Sequence, residues 1–128
     1  MSRILLIEDN PLARASLEHA LKSAGYEVST ATDGRQGVTV FRRMRQDLVV
    51  TDILMPEQEG VQTILELRRM EPTLPVLAIS GGLRSDGPDL LKMVRHLGAT
   101  ETLQKPFDKK ALLAAVQKCL SKGSVPPD

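Results

Sequence analysis

The sequence predicts an α/β fold, a five-stranded parallel sheet with helices packed on both faces. Three observations carry that prediction. Short apolar, largely β-branched runs recur at Ile4-Leu5-Leu6-Ile7, Leu48-Val49-Val50 and Val76-Leu77-Ala78-Ile79, and uninterrupted runs of this kind suit strands buried on both faces. Stretches with apolar residues at helical spacing separate them. Gly, Pro, Asn or Asp stands at the junctions. Strand–helix alternation gives right-handed crossovers, so every strand ends along one edge of the sheet.

In chain order, the first run ends in adjacent carboxylates, Glu8 and Asp9. Asn10 as N-cap and Pro11 at the first helical position open a helix. Ala13, Leu17, Ala20, Leu21 and Ala24 continue at helical spacing, and Gly25 closes it. Residues 27–31 alternate and make a weaker strand. Asp33-Gly34 then leads into a helix carrying Val38, Phe41 and Met44, with Arg42, Arg43 and Arg45 at the end where cations favour the dipole. The central strand runs to Asp52, and Pro56 and Gly60 stop regular structure and form a loop. Val61, Ile64, Leu65 and either Leu67 or the stem of Arg68 pattern a third helix that stops before Pro72. The fourth strand ends at Ser80, and residues 81–88, with three glycines and a proline, are expected to form a mobile loop. A helix through Leu90, Leu91, Val94 and Leu97 closes at Gly98, and residues 101–104 make a short last strand. Asp108 caps a final helix with Leu112, Leu113, Val116, Cys119 and Leu120 on one face. Residues 1–122 read as one domain, and 123–128 as a disordered tail or linker stub.

Composition excludes several classes. A net charge of +1 leaves no strong electrostatic footprint for nucleic acid or an anionic membrane. The lone cysteine, Cys119, excludes an intramolecular disulfide and fits a reducing cytoplasm. The opening apolar run is far too short for a signal peptide or a membrane span. A cytoplasmic domain that contacts neither nucleic acid nor membrane is the expectation. His19 and His96 have no ligand-spaced partners and read as surface residues of helices.

Chemistry collects at the strand ends. Glu8, Asp9, Asp52, Ser80 and Lys105 all fall at, or just past, the C-terminal end of a strand, where open α/β sheets bind ligands. Three converging carboxylates repel one another by about 1–4 kcal/mol per pair and call for a cation. Hard oxygen donors in an open, hydrated site suit Mg²⁺, which takes phosphate oxygens as further ligands. Lys105 adds a positive charge, Ser80 a hydroxyl donor and Asp52 a carboxylate nucleophile, the parts phosphoryl transfer requires.

With Glu8-Asp9, Asp52 followed by Met55-Pro56 and Gly60, Ser80-Gly81 and Lys105-Pro106-Phe107 in this order, the chain resembles the receiver domain of bacterial two-component response regulators from about Arg3 to Lys122. The resemblance implies a flavodoxin-like three-layer sandwich with strand order 2-1-3-4-5. It implies that Asp52 accepts a phosphoryl group from a histidine kinase or histidine phosphotransfer protein, and that Ser80 and Lys105 contact that group. Asp9, Asp52 and the backbone carbonyl of Leu54 would hold Mg²⁺, with Glu8 acting through water, and the Lys105–Pro106 bond would be cis. Output would pass through protein contacts to a downstream target or output domain, the chain being a phosphoacceptor and not a turnover enzyme. One departure is Thr102, where many members of the family carry an aromatic residue.

Alternatives from other classes fit less well. A phosphatase of the haloacid-dehalogenase type needs a second Asp two residues after the nucleophile, and that position is Leu54. A nucleotide-binding module needs a Gly-rich phosphate loop, which the chain lacks. A phosphorylation-independent interaction module with the same fold is the remaining rival, and retention of all five site residues argues against it.

Overall fold

The computed structural model describes residues 2–53, 59–80 and 100–124. Among them the elements are β1 (Arg3–Ile7), α1 (Pro11–Ser23), β2 (Glu27–Ala31), α2 (Gly34–Arg43), β3 (Leu48–Asp52), α3 (Glu59–Met70), β4 (Val76–Ser80), β5 (Glu101–Gln104) and α4 (Lys109–Ser124). All strand pairs are parallel, in the order β2-β1-β3-β4-β5. The expected loop at 81–88, the expected helix through Leu90, Leu91, Val94, Leu97 and Gly98, and the residues beyond Ser124 lie outside the described residues. Among the described residues, no helix is long and apolar enough to cross a membrane.

Position in the sheet explains the sequence pattern. The inner strands are covered on both sides, so β3 and β4 are buried throughout and β1 is buried from Ile4 onward. The edge strands β2 and β5 bury only part of their residues, which is why residues 27–31 alternate. Successive strand residues point to opposite faces. Leu5, Ile7, Val49, Val76 and Ala78 therefore pack with Val38 and Phe41 of α2 and with Ile64 and Leu67 of α3. Ile4, Leu6, Leu48, Val50, Leu77 and Ile79 pack with Leu17 and Leu21 of α1 and with Leu112, Val116 and Cys119 of α4.

Two side chains expected on apolar helix faces are exposed. Helix α2 ends at Arg43, and Met44 comes next with extended backbone (φ −145°, ψ 121°) and 47% exposure. In α3 the core is met by Ile64 and Leu67, three apart, which turns Leu65 outward. The half-buried Arg68 donates to the carbonyls of Pro72 and Leu74 and to Thr100 Oγ1, tying the end of α3 to the entries of β4 and β5.

Candidate functional site

Short, well-held turns bring the polar residues to the C-terminal edge of the sheet. Glu8 leaves β1 with its N–H donating to Ala31 O at 3.0 Å. Asn10 caps α1 by accepting from Ala13 N at 3.0 Å, and its own N–H donates to Glu8 Oε2 at 3.2 Å. Asp52 is the last residue of β3, and Ile53 N donates to Ile79 O at 2.9 Å just beyond it. Lys105 follows β5, with its N–H bound to Ser80 O at 2.8 Å. The Lys105–Pro106 bond is cis, as the resemblance implied. Asp108 then caps α4 by accepting from Ala111 N at 2.8 Å.

Four of the sequence-predicted residues meet. One carboxylate oxygen each from Glu8, Asp9 and Asp52 lies within 4.8 Å of the others. Lys105 Nζ stands 3.2 Å from Asp52 Oδ2 and 3.4 Å from Glu8 Oε1. Glu8 is 1% exposed and Asp52 7%, whereas Asp9 faces solvent. One ammonium does not balance three carboxylates, so the pocket stores repulsion. Its response is visible at Glu8. Burial first, then the charge of Asp52 and a hydrogen bond with Asp9, push its carboxyl from 4.5 up to about 7, against the Asn10 N–H and Lys105. Burial pulls the Lys105 ammonium down, but the carboxylates of Asp52 and Glu8 outweigh it and hold Lys105 above its usual range. An all-oxygen donor set with excess negative charge suits a hard divalent cation.

Ser80 ends β4 at the same edge of the sheet. It is fully buried, and its hydroxyl has no hydrogen-bond partner among the described residues. Leu54 lies outside the described residues. Thr102 is half-buried and registers with Ala78 on β4. Sequence reasoning missed Arg14, whose Nη1 donates to Glu8 O at 2.9 Å. The available signal was a cation near the N-terminal end of a helix, where the dipole disfavours it.

Residues 4–117 match the family model described as the response regulator receiver domain. The chain is 32% identical over 127 residues to the transcriptional regulatory protein GlrR of Escherichia coli K12, covering 99% of this chain and 28% of that protein. It is 37% identical over 118 residues to the transcriptional regulatory protein PrrA of Mycobacterium leprae, covering 92% and 49%. The chain thus spans about half or less of the length of these relatives. Among solved structures, chemotaxis protein CheY4 of Vibrio cholerae superposes with a TM-score of 0.85 at 31% identity, over 94% of this chain and 99% of that one. A response regulator receiver domain protein from Clostridium thermocellum gives 0.87 at 27% identity, over 95% and 96%.

Proposed function

This chain belongs to the response regulator receiver domain family, and from that membership we propose that Asp52 is its phosphoacceptor, charged by a histidine kinase or histidine phosphotransfer protein. The observation that carries the reading is Asp52 meeting Lys105 at 3.2 Å within an acidic cluster at the C-terminal edge of the sheet. An Asp52 carboxylate oxygen attacks the phosphorus of a phosphohistidine. The O–P bond forms as the P–N bond breaks, and the imidazole leaves with the electron pair and takes up a proton. Lys105 offers its ammonium to the phosphoryl oxygens, and Ser80 its hydroxyl. Glu8 Oε1 also stands 3.4 Å from the Lys105 ammonium. Asp9, Asp52 and the carbonyl of Leu54 would hold Mg²⁺, with Glu8 acting through water, and the ion supplies charge neutralisation for phosphoryl oxygens when bound.

On this reading the domain is a signalling phosphoacceptor whose own chemistry is limited to taking and losing the phosphoryl group. It reports through protein contacts to a downstream target or output domain. A cytoplasmic setting belongs to the same reading, and the buried, reduced Cys119 fits it. Fluorine NMR with beryllium, fluoride and Mg²⁺ tests the site. A bound resonance is expected from the unsubstituted protein and none from Asp52→Asn. Absence of a bound signal from both would favour an interaction module that works without phosphorylation.

A further inference from the structure

We propose that Arg14 is a positioning residue for the metal-binding carboxylates, acting through the backbone of Glu8, an inference that rests on the metal reading above. Arg14 is the fourth residue of α1. Helical side chains lean toward the N-terminus, so its guanidinium reaches back past Asn10 and Nη1 donates to Glu8 O at 2.9 Å. Helix chemistry does not favour a cation there, because it faces the positive end of the dipole. Nor does a carboxylate partner explain it, since Arg14 makes no ion pair among the described residues. The Glu8 carbonyl is what its charge and geometry serve.

That contact governs Asp9. The Glu8 carbonyl and the Asp9 N–H belong to one planar peptide, so holding the oxygen fixes the plane from which the Asp9 side chain departs. The rest of Glu8 is already secured, its N–H on Ala31 O, Oε2 on Asn10 N and Oε1 near Lys105. Asp9 is exposed and its side chain meets Glu8 through a hydrogen bond, so the geometry of this turn bears on where its carboxylate stands. Arg14 holds the peptide that joins the two residues.

Two roles for Arg14 give opposite signs. A bystander cation would repel a divalent ion, so its removal would tighten binding. A positioning residue would weaken binding when removed. Calorimetric Mg²⁺ titrations of the unsubstituted protein, Arg14→Ala and Arg14→Gln separate the two, read beside metal-free melting and the Asp9 amide resonance. Expected are an Mg²⁺ affinity about tenfold weaker in Arg14→Ala, an Asp9 amide displaced before metal is added, and a metal-free midpoint little changed. Arg14→Gln, a neutral donor, should recover part of the affinity, and it decides by the same sign if Arg14→Ala does not fold. Equal or tighter binding in the variants overturns the inference. No Mg²⁺ binding by the unsubstituted protein would sink the metal reading itself, and this inference with it.

Discussion

Glu8 carries a pH dependence that the geometry makes calculable in sign. Its carboxyl is pushed from 4.5 up to about 7, so the native protein keeps a proton that the unfolded chain releases. The resulting stability is complete below the unfolded value and lost as pH rises through the folded one, with an upper bound of about 3 kcal/mol. Lys105 is raised from an already basic value and contributes nothing variable in that window. Metal-free melting midpoints should therefore fall between about pH 5 and about pH 7.5 more steeply in the unsubstituted protein than in Glu8→Gln. Parallel curves would remove Glu8 as the cause. At this scale the sequence was informative where a polar side chain interrupts an apolar pattern, as at Glu8, Asp52 and Lys105. For Arg14 it offered only a cation set against the helix dipole, because a backbone-carbonyl partner leaves no mark in residue type. Ser80 shows the converse, since its strand-end position was legible and its buried hydroxyl, without a partner among the described residues, was not.

Helix α2 lies close against β1 at Gly37. A Cβ at Gly37 would stand 2.8 Å from Ile7 Cγ1 and nearer still to Cδ1, and Ile7 is wholly buried. Alanine gains about 1 kcal/mol of helix propensity, while overpacking a full core costs about 1–3 kcal/mol. Overpacking wins, because a branched side chain held between sheet and helix has nowhere to turn. Gly37→Ala should lose about 1 kcal/mol in urea denaturation with an unchanged m-value, and a gain in stability would show that Ile7 can yield. Gly25 differs, having open space around it but a φ of 97° that favours glycine. Element type was legible because inner strands must be apolar throughout and edge strands need not be. Met44 and Leu65 were misplaced because helical spacing alone does not say where a helix stops or which of two adjacent aliphatic residues meets the sheet.

At the scale of the molecule, the acidic cluster and one cavity among the described residues lie at opposite edges of the sheet. A cavity of about 550 Å³ opens where Ser2, Asp47 and Pro75 precede the strands, with Arg45 and Glu71 as charges of both signs in its lining. The acidic cluster, with its excess of carboxylate, sits at the other edge. A cation bound only by the native state should stabilise the fold by mass action, by about 2.7 kcal/mol at a hundred times its dissociation constant. Melting midpoints should rise with MgCl₂ at matched ionic strength, and Asp9→Ala should flatten the rise. An unchanged midpoint in the unsubstituted protein would contradict the metal assignment. The central claim is that Asp52 accepts a phosphoryl group, and the direct measurement is intact-mass and peptide mapping after exposure to a small phosphodonor with Mg²⁺. The expected result is one hydroxylamine-sensitive, base-labile phosphoryl adduct on the peptide carrying Asp52, absent from Asp52→Asn and suppressed by chelation. No adduct on the unsubstituted protein, or an undiminished one on Asp52→Asn, would contradict it.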